Sequence, residues 1–196
     1  MKIILASASP RRKELLHMIC EDFEIITSDK EEKATLTTPD DFVMTLSKQK
    51  AENVLDSIIS QNITNAEMIL IGADTIVYQD GEVLGKPRSY EHAYEMIQNL
   101  SGKNHQVYTG VTLLHTKNEK IVNQKNFAVC TQVYVDTLTD AEIKDYLSSD
   151  EYKDKAGSYG IQGLFGKYIT KIDGDYYNVV GLPVNRLYQE LKEWLL

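Results

Sequence analysis

The chain has 196 residues, enough for one domain with a sizeable core and room for two lobes. Apolar residues make up 42% and charged residues 26%, which excludes a disordered chain, and no apolar run approaches the ~20 residues of a membrane-spanning helix. A net charge of −8 argues against a general nucleic-acid binder, which needs a basic face, but leaves a nucleotide substrate open, since a few local Lys and Arg can hold a triphosphate.

The apolar run at the start, Ile3 to Ala6, is shorter than the ~7–15 residues of a signal-peptide core and reads as a first buried strand. Ser7-Ala8-Ser9 is a tight polar loop, with Ser9 as N-cap and Pro10 as first residue of a helix. Arg11 and Arg12 fall in that helix's first turn, where the dipole favours acids. Either they are surface arginines beside an ordinary cap, or they and the exposed N–H groups hold an anion. Phe23 to Thr27 reads as a second strand and Ser28 to Thr38 as a polar loop carrying Glu31 and Glu32, glutamates of a kind usually just solvated. Cys20 and Cys130 lack metal spacing and are expected as buried, reduced thiols of a cytoplasmic protein.

Thr38-Pro39-Asp40-Asp41 starts a long helix with a Thr cap. Its stripe of Phe42, Val43, Leu46, Val54, Leu55 and Ile58 has helical period, and the helix fades over Ser60 to Asn65. At about 100° per residue, Lys50 projects into this stripe while Lys48 points away, so Lys50 either snorkels to the rim or meets an anion.

Met68 to Ile71 reads as a buried strand ending at Gly72-Ala73-Asp74-Thr75. Asp80-Gly81 signals a hairpin, whose return strand delivers Gly85-Lys86-Pro87. The hairpin brings Asp74 and Lys86 toward one region, either as phosphate-handling groups or as a turn cap and a solvated charge. Ser89 caps a helix with Ala93, Met96, Ile97 and Leu100 inward. His105 to Thr116, interrupted at Thr109-Gly110, and Ile121 to Val135 form a strand pair. Thr139 to Glu142 is a capping box for a helix to about Leu147. Asp154 to Gly166 is a glycine-rich loop that carries Gln162. Tyr168 to Ile172 is expected as a strand paired with Tyr176 to Val180, and Gly181-Leu182-Pro183 opens a final helix with Leu187, Leu191 and Trp194 inward. The alternation of strands and helices predicts an α/β fold, with the later hairpins making the sheet mixed.

Several signatures fail. Gly81 to Pro87 lacks P-loop spacing and its Ser/Thr, Gly157 to Gly160 is no nucleophile elbow, and His17, His92, His105 and His115 have no metal spacing. What remains suits electrostatic catalysis on a phosphate ester, with water as attacker and a hard divalent cation held by carboxylates.

Six motifs then occur in one order: Ser7-Ala-Ser9-Pro10-Arg11-Arg12, Gly72-Ala-Asp74-Thr75, Gly85-Lys86-Pro87, Ser101 to His105, Asp154-Lys155-Ala-Gly157 through Ile161-Gln162-Gly163, and Tyr177-Asn178 through Gly181-Leu-Pro183. From end to end the chain resembles a Maf-family nucleoside triphosphate pyrophosphatase. The resemblance implies a single domain over 1–196, with a mixed twisted sheet flanked by helices and two lobes around a central cleft, as in inosine-triphosphatase-like proteins. It implies hydrolysis between the α and β phosphates of a nucleoside triphosphate with Mg²⁺ or Mn²⁺, no nucleic-acid or membrane partner, and a homodimer. The family's catalytic acid falls on Asp74, its loop glutamate on Glu32 (or Glu31), and its lysines on Lys50 and Lys86; Asp74 and Glu32 would hold the metal, and Asp74 is either a ligand or the base for the attacking water. Ser7, Ser9, Arg11 and Arg12 would bind the triphosphate.

The branch active on dTTP and UTP has Arg, Thr and Gln at the places of Arg11, Thr75 and Gln162, whereas the branch active on 7-methyl-GTP has Trp, Gln and Glu. This chain therefore resembles the dTTP/UTP branch, and the Gln162 amide suits the O4/N3 edge of a pyrimidine. Two departures are visible: Glu151-Tyr152 where Glu-Pro is common, and Asp29-Lys30-Glu31-Glu32 where Asp-Glu is frequent. The competing readings are a nucleotide-binding regulator of division without catalysis, and a broad house-cleaning hydrolase of modified nucleotides.

Overall fold

Ile3, Ile4 and Leu5 are all buried, so β1 (Lys2–Leu5) has apolar cover on both faces and lies inside the sheet. The computed structural model describes residues 1–35, 37–61 and 67–195; position 36 of the polar loop and the expected helix fade beyond residue 61 lie outside the described residues. After β1 come α1 (Pro10–His17), β2 (Glu24–Ile25), α2 (Pro39–Ser60), β3 (Glu67–Gln79), β4 (Glu82–Leu84) and α3 (Tyr90–Leu100). Then follow β5 (Asn104–Lys117), β6 (Lys120–Val135), α4 (Asp140–Leu147), two 3₁₀ turns (Ala156–Ser158 and Leu164–Tyr168), β7 (Ile169–Asp173), α5 (Tyr176–Val180) and α6 (Val184–Leu195). The strands hydrogen-bond in the order β2-β1-β3-β5-β6-β7, with β4 added to β3. Parallel pairs β1–β2 and β1–β3 coexist with antiparallel β3–β4 and β6–β7, so the sheet is mixed and the fold is α/β, as the alternation of elements predicts.

The chain divides into two compact units, Met1–Asp74 with Thr109–Val129 and Gly181–Leu196, and Thr75–Tyr108 with Cys130–Val180. In the first, Ile4, Met68, Leu70 and Leu114 of the strands pack with Ala51, Val54, Leu55 and Ile58 of α2. Two glycines set how close α2 comes. A Cβ on Gly72 would stand 2.2 Å from the Ser47 carbonyl oxygen, and one on Gly110 would stand 2.3 Å from that of Val43. Both strands run straight through these glycines, so neither is the break expected from the sequence. In the second unit the core joins Ile97 and Leu100 of α3, Ile143, Tyr146 and Leu147 of α4, and an aromatic group of Tyr152, Tyr159, Phe165 and Tyr168.

The caps are those the sequence predicts: Ser9, Thr38, Ser89 and Thr139 each accept from a backbone N–H in the first turn, and Thr139 with Glu142 closes the full capping box. The Asp80-Gly81 hairpin also forms, with both residues at positive φ. Three further expectations fail. The second strand shrinks to Glu24–Ile25. Tyr176 to Val180 is the helix α5, not a strand, because β7 pairs with β6 instead, Gln132 opposite Asp173 and Val133 opposite Ile172. Asp175 then starts the helix by accepting from the Tyr177 N–H at 2.8 Å. Finally, the cysteines are not buried: Cys130 is exposed and Cys20 half-exposed.

Candidate active site

The site begins with the turn from β1 into α1. Ser9, in extended backbone, accepts from the Arg12 N–H, and Pro10 follows at the first helical position. Ser7, nearly buried, accepts from the Ser9 N–H at 3.3 Å and from Arg12 Nη1 at 3.1 Å. The Arg12 Nε donates to the carbonyl of Gly181 at 2.9 Å. Arg12 is thus fixed from two sides, and burial with the neighbouring Arg11 charge pulls its pKa down while Asp74 pulls it up. Residues from the first and last motifs of the sequence therefore meet at one guanidinium. Gly181 could be read from the sequence only as the start of the final helix.

The second part is where α2 crosses β3. Gly72 admits the α2 backbone at Ser47 and Ala51, and Lys50 lies between those two on the helix. Its ammonium reaches Glu32 Oε2 at 2.7 Å and Asp74 Oδ1 at 3.5 Å. The helical phase that separates Lys50 from Lys48 holds: Lys48 turns outward to Glu52, four residues on. The two loop glutamates also separate. Glu32 keeps 18% of its side chain accessible, beside Lys50, whereas Glu31 keeps 78% and pairs with the equally exposed Lys33. An ion pair of that exposure contributes little, so Glu32 is the glutamate built into the cluster.

Asp74 is the focus. Burial pushes its carboxyl above the ordinary carboxylate range, the Glu32 charge adds to that, and the cations Arg12 and Lys50 oppose it. Ser7, Ser9, Arg12, Glu32, Lys50 and Asp74 are thereby brought together, with Arg11 beside Arg12. Among the described residues no group of three or more His, Cys, Asp or Glu is spaced to hold a metal.

The other sequence-derived candidates belong to the second unit. Thr75 follows Asp74 within β3, partly exposed. Lys86 is exposed just past β4 and has no ion-pair partner among the described residues. The preceding Gly85 accepts from the Gly157 N–H at 3.0 Å, which joins the Lys86 segment to the glycine-rich loop. Gln162 is exposed in that loop, between the 3₁₀ turns. The loop is held from beneath. His105 Nε2 lies 2.6 Å from the Tyr159 hydroxyl, and the Tyr146 hydroxyl donates to the Ser158 carbonyl at 3.1 Å. Glu151 accepts from the Leu164 N–H at 2.9 Å, and a Cβ on Gly163 would stand 2.1 Å from that carboxylate. The Glu151-Tyr152 departure thus has a structural place, with Tyr152 in the core.

Fold and site define an α/β protein with a half-buried carboxylate set among Arg12, Lys50 and Glu32. The chemistry these residues offer is that of acid, base and charge. A family model described as "Maf-like protein" matches residues 2–194, and the chain belongs to that family. It is 50% identical over 194 residues, 99% of each chain, to a dTTP/UTP pyrophosphatase of Carboxydothermus hydrogenoformans. It is 50% identical over 192 residues to one of Clostridium novyi, covering 96% of this chain and 95% of the other. A third, from Lachnoclostridium phytofermentans, is 47% identical over 193 residues, covering 98% and 95%. Among solved structures, the Staphylococcus aureus Ham1 protein aligns over 99% of this chain and all of its own with 12% identity and a TM-score of 0.46. No helix among the described residues is long and apolar enough to cross a membrane.

Proposed function

We propose that this chain is a nucleoside triphosphate pyrophosphatase acting on dTTP and UTP, releasing the nucleoside monophosphate and pyrophosphate. The observation that carries the reading is the Asp74 carboxylate, half-buried among Arg12, Lys50 and Glu32. Near full-length similarity to dTTP/UTP pyrophosphatases supports the substrate class.

Each residue then has a role. Ser7, Ser9, Arg11 and Arg12 bind phosphate oxygens, and Lys50 and Lys86 offset the charge that develops on them. Asp74 takes the proton of the attacking water. A carboxyl whose pKa is raised by desolvation is a stronger base than a fully solvated one, which favours this assignment. Thr75 and Gln162 read the base.

The site also suits a divalent cation. Glu32 and Asp74 are hard oxygen donors, and the single Lys50 ammonium already contacts both, so the charge of the pair attracts a cation there. Mg²⁺ is commonly held by one or two carboxylates together with substrate phosphates, so two donors suffice. Glu32 and Asp74 would hold Mg²⁺ or Mn²⁺, which would neutralise phosphate charge when bound. We place the enzyme in the cytoplasm and propose a homodimer as its assembly.

The test is pyrophosphate release by the full chain across a nucleotide panel with Mg²⁺, Mn²⁺ or chelator. The expected result is metal-dependent release, fastest with dTTP and UTP. Binding without release would overturn the enzymatic reading and favour a nucleotide-binding regulator. Equal or faster turnover of modified nucleotides would overturn the substrate assignment in favour of broad house-cleaning.

A further inference from the structure

The loop that carries Glu32 meets α2 at several side chains, and at one of them, Gln49, the contact is to the loop backbone. The Gln49 side-chain amide makes two hydrogen bonds to the Lys33 backbone: Oε1 accepts from the Lys33 N–H at 2.8 Å, and Nε2 donates to the Lys33 carbonyl at 2.7 Å. One amide thus takes both polar groups of a single residue, much as a neighbouring strand would. That fixes the rotation of the Lys33 peptide units as well as their position. Glu32 is the next residue back, with its Cα about 3.8 Å away. On α2, Gln49 precedes Lys50 and lies about 100° around the helix from it. Two ion pairs also tie this loop to α2: Lys50–Glu32 at 2.7 Å, and Lys30–Asp56 at 3.2 Å with both side chains at least 60% exposed. The exposed pair holds its partners loosely, and the Lys50–Glu32 pair acts through side chains alone, whereas the double amide contact holds the loop backbone itself.

We infer that Gln49 is a positioning residue. By clamping Lys33 it sets which glutamate of the Glu31-Glu32 pair faces Lys50 and Asp74 and which points to solvent. Exposure alternates from Glu31 to Glu32 to Lys33, outward, inward and outward, so a loop shifted by one residue presents Glu31 in place of Glu32. This inference rests on the proposed role of Glu32 in the reaction and adds to it the device that places that residue.

The test is a double-mutant cycle on the full chain with dTTP and Mg²⁺, using Gln49→Ala, Glu32→Gln and the double variant, together with amide exchange at Lys33. Gln49→Ala is expected to lower kcat about tenfold, as a misplaced catalytic group does, with KM little changed. It is expected to leave the thermal midpoint close to wild type and to speed exchange at the Lys33 amide. In the Glu32→Gln background the same Gln49→Ala change is expected to have no further effect. An equal loss in both backgrounds would show that Gln49 acts through Lys50 or the helix, and would overturn the inference. No loss from Gln49→Ala in the wild-type background would overturn it as well. Wild-type turnover by Glu32→Gln would instead remove the role of Glu32 on which the inference rests, and exchange at Lys33 would then report separately on whether the clamp exists.

Discussion

His105 gives this protein a built-in sensitivity to acid. Its side chain is 2% exposed, with Nε2 hydrogen-bonded to the Tyr159 hydroxyl and Nδ1 without a partner among the described residues. Protonation gives both ring nitrogens an N–H, and the one at Nδ1, itself buried, would have no acceptor among the described residues. Burial accordingly lowers its pKa from 6.5 to about 4. The folded state therefore binds this proton less readily than the unfolded chain. Stability from the neutral imidazole is fully present above the unfolded pKa of 6.5 and is lost as pH falls from there toward about 4. At about 1.4 kcal/mol per pH unit over that window, going from pH 7 to pH 5 removes about 2 kcal/mol. For a chain of this length that is a fall in thermal midpoint of roughly 4–8 °C. The perturbation is His105→Gln, which keeps a hydrogen-bonding side chain toward Tyr159 but cannot titrate. Thermal unfolding of both proteins at pH 7, 6 and 5 is the assay. The variant is expected to start less stable, by roughly 1–3 kcal/mol for the disturbed buried contact, and to lose about 2 kcal/mol less than the wild type on acidification. Parallel losses in the two proteins would refute the reasoning.

The remaining predictions concern the site. Asp74→Asn is expected to cut pyrophosphate release by about 10²–10⁴-fold, the usual worth of a general base, and near-normal turnover would remove Asp74 from the chemistry. Because burial raises the pKa of Asp74, its stabilising contribution is present at low pH and lost as pH rises through the folded value, so Asp74→Asn is expected to unfold at the same temperature as the wild type or higher at pH 7; a lower midpoint would contradict this. Gly72→Ala places a Cβ 2.2 Å from the Ser47 carbonyl oxygen, and the displacement of α2 is expected to cost about 1–3 kcal/mol in urea unfolding and to reduce turnover by separating Lys50 from Asp74; a variant that unfolds like the wild type would show that the helix yields freely. Gln162→Glu is expected to weaken dTTP and UTP turnover relative to purine nucleotides, and an unchanged ranking would exclude a base contact.

Much of the fold is legible in the sequence because its signals are local. A cap, a proline at the first helical position and an Asp-Gly hairpin each act within a few residues, and each forms as read. The apolar phase of α2 is nearly as local and separates Lys50 from Lys48 without any knowledge of the sheet. The failures fall where the deciding partner is distant. Five residues from Tyr176 to Val180 are too few for periodicity to tell strand from helix, and the outcome depends on β7 pairing with β6, some forty residues earlier. Gly72 and Gly110 look like breaks because a glycine in an apolar run marks either an irregularity or a close backbone approach; only the path of α2 shows that both are approaches.

The same distinction governs the site. Residue types announce what a side chain can do, so two arginines in a first helical turn and a lysine in an apolar stripe stand out in the sequence. Neither observation says what they face. Arg12 is held by the carbonyl of Gly181, 169 residues along the chain, and Lys50 by a glutamate from a loop with no regular pattern. The choice between Glu31 and Glu32 has no sequence signal at all, since the two are adjacent and chemically identical. It is made by the contact of Gln49 with the Lys33 backbone, and backbone partners leave no mark on residue type at the position contacted. Sequence reading therefore names the charges of such a site and misses the neutral groups that aim them. In this chain those groups are the Gly181 carbonyl, the missing Cβ of Gly72, the Gln49 amide and the His105–Tyr159 pair under the glycine-rich loop.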